Sequence, residues 1–265
     1  MTRSRQSGVT LLELLVGLAI GLMTIAVALG ALLVSRSVSG TVSDASQLQQ
    51  QGAYALRVIG QQLRQAGSIR LNMAFGAASG AAADPSQRVA FETSFDRANG
   101  ALKADTSSPL QAGYQNYTES VNGSATEQSL LADCLGKRSS TAVVQSNFQL
   151  DSATGNLRCV GSDGSVETLI GNVADFQVRY VLQTINAAGA NMRRVASGSM
   201  TAADWPLVVA VDVCLEIFGE ENIDTAGATY RNCSWVSGQA EAAMGNRMRI
   251  VLRNTFQMRS QGAVR

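Results

Sequence analysis

The chain has 265 residues, of which 46% are hydrophobic and 15% are charged, with 21 Lys and Arg against 20 Asp and Glu. This composition is typical of a globular protein and excludes a disordered or fibrous chain. There is no histidine, which excludes Ser-His-Asp and Cys-His catalysis and histidine-ligated zinc. The net charge of +1 provides no overall basic surface, so we expect no nucleic acid partner.

The first predicted element is a hydrophobic helix. Residues 14–34 carry no charged side chain, and a helix of that length covers about 31 Å, close to the hydrocarbon thickness of a bilayer. Arg3 and Arg5 precede it, and positive charge keeps that end of a membrane segment in the cytoplasm. We therefore predict one membrane-spanning helix with a cytoplasmic N-terminus and the rest of the chain on the other side.

Glu13 is a carboxylate at the start of this apolar stretch, and two interpretations of it remain open. An ionisable group inside an apolar span costs about 2.5–3.5 kcal/mol at mid-membrane, which indicates a function. Alternatively, Glu13 lies at headgroup level near the helix N-terminus, where a carboxylate is favourable.

The residues around Glu13 resemble the processing site of type IV pilins and type II secretion pseudopilins. A short basic leader ends in Gly8, and the hydrophobic Val9, in place of the family's usual Phe, is followed by TLLELLV. The resemblance implies cleavage by a prepilin peptidase between Gly8 and Val9, N-methylation of Val9, and an assembly role for Glu13. In a filament core such a carboxylate needs a cation, which the α-amino group of a neighbouring chain would supply.

A helical period continues after residue 34 on a more polar sequence. Apolar residues recur three or four apart, or at sums of these, at Leu48, Ala55, Leu56, Ile59, Leu63 and Ala66. The opposite positions carry Gln49, Gln50, Arg57, Gln61 and Arg64. This pattern predicts an amphipathic helix that continues from the membrane span and stops at Gly67. A separate helix, with a break at Ser39-Gly40, is the alternative.

The remaining residues predict a β-rich region with long loops. Residues 72–130 are rich in Ala, Gly, Ser and Asn, and we expect a long loop there with one short strand near 88–92. Strands are predicted at 141–150, 156–160, 166–170, 176–182, 207–217 and 247–258. Turn residues at 151–155 and 162–164 predict that the first three strands form hairpins. We assign no role to the loops at 72–130 and 184–203.

The last two strands alternate between apolar and polar residues. In the first of them, one buried face is predicted for Leu207, Val209, Val211, Val213, Leu215 and Ile217. The final strand places Arg247, Arg249 and Arg253 on its outer face. We interpret these arginines as solubility and edge-protection residues; a partner-binding stripe is the alternative.

The four cysteines, Cys134, Cys159, Cys214 and Cys233, allow three connectivities. None forms a C-x-x-C pair, and the predicted anchor exports them to an oxidising compartment, where disulfides persist. We predict structural bridges Cys134–Cys159 and Cys214–Cys233. The turn at 151–155 can bring the first pair together, and the polar connection after residue 217 can return the chain beside Cys214.

Six sequence blocks resemble, in their order, those of PilW-type minor pilins. They are QQQGAYALRVIGQQLRQAGS (49–68), DCLG (133–136), TGNLRCVG (154–161), VADFQVRYVL (173–182), DWPLVVAVDVCLEI (204–217) and NRMRIVLRNTFQMR (246–259). The resemblance implies an α+β, pilin-like fold, with a long N-terminal helix packed on an antiparallel β-sheet head. Its expected parts are the leader 1–8, the transmembrane and filament-core helix 9–34, the amphipathic continuation 35–67, and a periplasmic head 68–265.

The resemblance also implies a function without catalysis or a cofactor. A minor pilin of this type would pass from the bacterial inner membrane to the pilus tip or cell surface. Its partners would be prepilin peptidase, the major pilin, other minor pilins in a priming complex, and a tip adhesin, which implies roles in adhesion and twitching motility. One alternative is the J-like minor pseudopilin of a type II secretion system.

The other alternative is a membrane-anchored periplasmic enzyme that uses paired carboxylates. The acidic residues Glu216, Glu220, Glu221 and Asp224 lie close together in the sequence, but a solvated loop explains them more simply. The Asp/Gly turns do not match the calcium-loop pattern, so no metal site is predicted.

Overall fold

The computed structural model describes residues 8–73, 89–91, 95–105, 107–120, 127–186 and 189–258. Helix α1 (Leu11–Gln65) takes up 55 of these residues, and a region of antiparallel strands follows it. The predicted fold class, α+β with a long N-terminal helix packed on an antiparallel sheet, is confirmed. Residues 1–7, which include both arginines of the expected leader, lie outside the described residues.

The other elements follow along the chain as β1 (Leu71–Met73), β2 (Val89–Phe91), α2 (Arg97–Gly100), β3 (Leu102–Lys103), β4 (Leu110–Gln115), β5 (Thr118–Ser120), β6 (Glu127–Ser129), β7 (Val143–Asp151), β8 (Asn156–Val160), β9 (Val166–Ile170), β10 (Val173–Asn186), β11 (Gly189–Ala196), β12 (Val208–Asn222), β13 (Thr229–Tyr230), β14 (Ala242–Ala243) and β15 (Arg247–Gln257). Short 3₁₀ helices at Ser197–Ser199 and Trp205–Leu207 connect β11 to β12. The pairs β1–β2, β5–β6 and β13–β14 form separate two-stranded ribbons.

Helix α1 is continuous and ends where the sequence predicts. It runs without a break through Ser39-Gly40, so the alternative of a separate second helix is wrong. Ala66 caps its C-terminus, and Gly67 has a φ of 74°. Because glycine adopts this left-handed conformation without strain, it terminates helices readily. The predicted stop at Gly67 is confirmed.

The first sheet has five strands in the order β3-β4-β7-β8-β9, and all neighbours are antiparallel. Strands β7, β8 and β9 are successive hairpins, as the turn residues predicted. The turn between β7 and β8 is closed by a hydrogen bond from the Gly155 amide to the Asp151 carbonyl. Gly155 and Gly164 both have positive φ, 66° and 80°, which explains why glycine stands at each turn.

The second sheet has four strands in the order β11-β10-β12-β15, again antiparallel. A bulge at the start of β12 changes its alternation, because Leu182 faces Val208 while Val181 faces Ala210, so that Val209 has no partner on β10. Val208 is fully buried and Val209 is only half-buried. The predicted inward position of Val209 is therefore wrong, since an extra residue shifts the side-chain period of a strand.

The second half of α1, which follows residue 33, packs on one face of the four-stranded sheet. Gly52 and Gly60 allow this close approach, because a Cβ at either position would overlap Leu252 or Phe256 of β15. The predicted amphipathic pattern is confirmed. The buried side chains are Leu48, Ala55, Ile59, Leu63 and Ala66, with Leu56 half-buried. The exposed ones are Gln49, Gln50, Arg57, Gln61 and Arg64. One hydrophobic core joins this helix face to both sheets.

The predicted long loop at 72–130 is wrong for much of its described part. Strand β4 lies inside the first sheet, and Leu110, Ala112 and Tyr114 are completely buried. The sequence did not predict this strand, because its small residues have little strand propensity. One of them, Gly113, is required by packing, because a Cβ there would overlap the Gly100 carbonyl oxygen.

Two further expectations concern segments that are described only in part. The predicted short strand near 88–92 corresponds to β2, whereas residues 88 and 92 lie outside the described residues. The predicted loop at 184–203 is wrong, because β10 continues to Asn186 and pairs with β11 as a hairpin. Residues 187 and 188 between these two strands are not described.

Candidate functional site

Gly8, Val9 and Thr10 precede the helix in a non-helical, exposed segment. Val9 is 70% exposed, and among the described residues no atom beyond the chain neighbours of Gly8 lies within 4 Å of the position that a Cβ would take on Gly8. Open space around the Gly8–Val9 bond and the absence of helical hydrogen bonding suit entry into a peptidase active site. Whether the bond is cleaved and Val9 is methylated stays a prediction.

Thr10 caps the N-terminus of α1. Its backbone is extended, with φ −76° and ψ 151°, and its Oγ1 accepts a hydrogen bond of 3.3 Å from the Glu13 amide. Glu13 is thus the third helical residue, where its carboxylate is favourable to the helix dipole. The sequence reasoning missed the Thr-x-x-Glu capping-box pattern that announces this helix start.

The first half of α1 makes no core contact. Leu11–Leu33 is the one segment among the described residues that is long and apolar enough to cross a membrane, with a mean hydropathy of 2.4 and 0% of its most apolar window buried. Exposed leucines surround Glu13 on this half, among them Leu12 at 71% and Leu14 at 60% exposure. A helix that is apolar on all sides needs lipid or other helices around it.

The structure contains the two disulfides chosen from the sequence. Cys134 and Cys159 bridge with Cα atoms 6.2 Å apart, and Cys214 and Cys233 bridge at 5.7 Å. The first bridge ties the segment before β7 to β8. The second ties β12 to residues 223–246, the connection between β12 and β15 that we call the flap.

Buried Asp133 supports the first bridge from the adjacent position. Its Oδ1 accepts hydrogen bonds of 3.0 Å from the Leu135 and Lys137 amides, and its Oδ2 accepts one of 2.9 Å from the Ser162 amide. Three amide donors therefore hold the loop around Cys134 in place. Asp133 belongs to the sequence block DCLG, but no local pattern in that block indicates the role of its carboxylate.

Gln62 is a buried polar residue that joins α1 to the first sheet. Its Oε1 accepts a hydrogen bond of 3.0 Å from Ser146 Oγ and lies 3.0 Å from the Tyr114 hydroxyl. Its Nε2 donates to the Ala132 carbonyl at 3.3 Å. The helical period predicts only that this position faces the head, and no local signal indicates these distant partners.

Glu216 of β12 binds the flap through a hydrogen bond with Tyr230. Its Oε1 accepts hydrogen bonds from the Tyr230 hydroxyl at 2.6 Å and from Arg249 Nη1 at 2.8 Å, and only 5% of its side chain is exposed. Burial and the neighbouring Glu216 carboxylate raise the pKa of Tyr230. The interpretation of Arg249 as a solvent-facing solubility residue is therefore wrong, because its guanidinium compensates a buried carboxylate.

Two of the acidic residues after Ile217 form hydrogen bonds with different partners. Glu220 accepts a hydrogen bond from Asn172 at 3.1 Å, and Asp224 binds the amide of Ala226. The sequence reasoning missed a different neighbour, Asp175, which faces Glu216 across the β10–β12 pair. Burial and the Glu216 charge raise the pKa of Asp175. Within the described residues, no group of three or more Cys, Asp and Glu side chains could hold a metal ion.

Comparison with known proteins identifies the N-terminal segment. Residues 3–29 match the prokaryotic N-terminal methylation motif. The match supports the broader prediction of a type IV pilin or pseudopilin, and the PilW type stays a prediction. No curated protein matches the sequence. A type IV-like pilin from Thermus thermophilus is similar in structure, with 13% identity and a TM-score of 0.42 over 82% of this chain and 98% of that one.

Proposed function

We propose that this chain is a minor pilin that prepilin peptidase processes between Gly8 and Val9 and that takes part in type IV pilus assembly, in a tip or priming complex. One observation carries the proposal: the N-terminal methylation motif opens a helix whose apolar first half is not buried by any described part of the chain. Such a helix is suited first to the bilayer and then to a bundle of similar helices.

The position of Glu13 supports its proposed assembly role. Its carboxylate lies one turn from Val9 and is surrounded by exposed leucines, so that it becomes desolvated when other helices pack against it. A desolvated carboxylate needs a cation, and the α-amino group that cleavage creates on Val9 of a neighbouring chain has the required charge. This pair would set the axial position of the subunit.

The disulfides agree with export of the head. Both bridges lie in the strand-rich region beyond α1, and disulfides persist in oxidising compartments such as the periplasm. We therefore place the N-terminus in the cytoplasm and the head in the periplasm, before incorporation at the pilus tip.

Mass spectrometry of the membrane-derived protein tests the processing step. We expect an N-terminus at Val9 carrying one methyl group. The Gly8→Glu variant should retain residues 1–8, because the larger charged side chain cannot occupy the position of the glycine in the peptidase. An unprocessed Met1 terminus in the unaltered protein would contradict the proposal.

Glu13→Gln tests the assembly step. We expect normal membrane insertion, since removal of a charge lowers the desolvation cost, but reduced co-purification with other pilins from an inner-membrane extract. Glu221→Gln makes the same change at an exposed position of the head and should leave recovery unchanged. Recovery with type II secretion components instead of pilins would favour the J-like pseudopilin.

A further inference from the structure

A cleft of about 430 Å³ lies on the outer face of the four-stranded sheet. Its floor is formed by β10, β12 and β15, and one wall is formed by the flap. Helix α1 covers the opposite face of the same sheet, so this cleft is separate from the helix surface that the proposed filament uses.

The cleft is built rigidly. The Cys214–Cys233 bridge ties the flap to the middle of the floor. Gln177 Nε2 donates to Ser234 Oγ at 2.7 Å, and Arg253 donates to the flap carbonyl of Arg231 at 3.4 Å. These three links join the wall to the three floor strands, so the cleft keeps its shape without a ligand.

Arg179 is a cation without a partner on this floor. The strand register places Arg179, Asp212 and Thr255 in one row across β10, β12 and β15. Asp212 is occupied by Arg194, at 2.7 Å, and by the Thr255 hydroxyl, at 2.6 Å. Arg179 is half-buried and makes no hydrogen bond or ion pair within the part of the chain that the structure describes.

The charge of the cleft favours an anion. Arg179, Arg194 and Arg253 line it together with a single carboxylate, Asp212, which leaves two uncompensated positive charges. Trp235 adds an aromatic surface. Arg231 stacks on this indole with its guanidinium carbon 4.3 Å from the ring centroid, and the indole N–H donates to the Gln239 carbonyl at 3.0 Å, so the ring is held in place.

The carboxylate acceptor in the cleft, Asp212, distinguishes between classes of anion. Phosphate oxygens only accept hydrogen bonds and have no donor for Asp212, whereas sugar hydroxyls can donate to it. The chain also lacks the overall positive charge on which nucleic acid binding depends. A ligand with one carboxylate, several hydroxyls and a ring therefore matches the cleft best.

We propose that this cleft binds a uronic acid residue of an acidic polysaccharide. The carboxylate of the sugar pairs with Arg179, its hydroxyls donate to Asp212, and its ring lies against Trp235. The proposal goes beyond the assembly function and does not depend on it.

Calorimetric titration of the full-length protein in a polyoxyethylene detergent, which carries no sugar that could compete, tests the proposal. The probes are tri-galacturonate and tri-mannuronate, the methyl ester of tri-galacturonate as a neutral matched ligand, and a single-stranded DNA 12-mer. We expect at least one uronate to bind, and the ester and the DNA to bind at least tenfold more weakly.

Two arginine variants complete the experiment. Arg179→Gln should weaken uronate binding by about ten- to a hundredfold, as expected for loss of a charge-assisted hydrogen bond, and should leave the fold intact, because Arg179 makes no hydrogen bond or ion pair with the described residues. Arg64→Gln removes the same charge from an exposed site on α1 and should bind normally. Failure of both uronates to bind, equal binding of the ester, stronger binding of the DNA, or full affinity in Arg179→Gln would overturn the proposal.

Discussion

The two halves of α1 differ in a way that hydrophobicity alone does not predict. The more apolar half, Leu11–Leu33, has 0% of its most apolar window buried. The more polar half contains Leu48, Ile59 and Leu63, with 3%, 0% and 0% of their surfaces exposed. Burial within the chain follows the arrangement of apolar residues and not their number. A one-sided stripe directs a helix face to a sheet, whereas apolar residues on all sides direct a helix to lipid or to a bundle.

Glycines also have different roles in the two halves. Gly52 and Gly60 lie against side chains of β15 that leave no room for a Cβ, whereas nothing lies within 4 Å of a Cβ on Gly17 or Gly21. In the second half, glycine brings the helix backbone close to the head. In the first half, the small residues leave space that lipid or a neighbouring helix could fill.

The largest expected effect comes from truncating a leucine in each half. Leu63→Ala should lower the free energy of unfolding of the head by about 2–5 kcal/mol, because it leaves a cavity in the core. Leu18→Ala, at a position that is 57% exposed, should leave the stability of the head unchanged. Urea unfolding of the full-length protein in micelles, followed by tryptophan fluorescence, measures both. Equal losses would show that the first half also supports the head.

The next largest difference in the free energy of unfolding is expected between variants of two adjacent glutamines. Gln62→Ala should cost about 1–3 kcal/mol, because it removes a buried hydrogen-bond partner of Tyr114 and Ser146. Gln61→Ala removes an exposed side chain of the same type and should change stability by less than about 0.5 kcal/mol. The same urea titration compares them, and a Gln62→Ala variant as stable as Gln61→Ala would contradict the proposed link between α1 and the first sheet.

Alkaline pH should lower the free energy of unfolding, because Tyr114, the hydrogen-bond partner of Gln62, then loses its proton in the unfolded state. Burial, and then the charge of Asp133, raise the pKa of Tyr114 well above its ordinary value. The folded state therefore keeps a proton that the unfolded state loses, so this contribution to stability is complete below a pH of about 10 and declines by about 1.4 kcal/mol per pH unit above it. Burial raises the pKa of Tyr180 as well.

The matched variant for this pH effect is Tyr114→Phe. Because Tyr117, Tyr180 and Tyr230 also have raised pKa values and still titrate, the variant should show a smaller, though not abolished, decline in the free energy of unfolding between pH 10 and pH 11 than the unaltered protein. Urea titrations at both pH values measure the slope. An unchanged slope would show that Tyr114 does not contribute to it.

The smallest expected effect concerns the start of α1. Thr10→Ala removes the N-cap and should destabilise the first turn by about 1 kcal/mol, without changing the unfolding of the head. Hydrogen exchange of the Glu13 amide in micelles should accelerate about fivefold. Thr24→Ala, whose hydroxyl donates to the Gly21 carbonyl inside the helix, is the control and should leave that amide unchanged.

Local patterns in the sequence determined several parts of the protein. The 3.6-residue period predicted which face of α1 is buried, and Gly67 predicted its end. Turn residues predicted the β7–β8–β9 hairpins, and the sequence TLLELLV after Gly8 indicated the methylation motif that the comparison found. These features depend on residues that are close together in the chain, so their physical cause can be read without knowing the fold.

Contacts between distant residues decided the rest. Strand β4 forms because β7 pairs with it, although Gly113 and Ala112 give it little strand propensity. Only the fold brings Gln62 to Ser146, 84 positions away in the sequence, or Arg249 to Glu216, 33 positions away. The bulge at Val209 and the position of Arg179 opposite Asp212 likewise depend on the register of neighbouring strands, and register is set by pairing across the whole sheet.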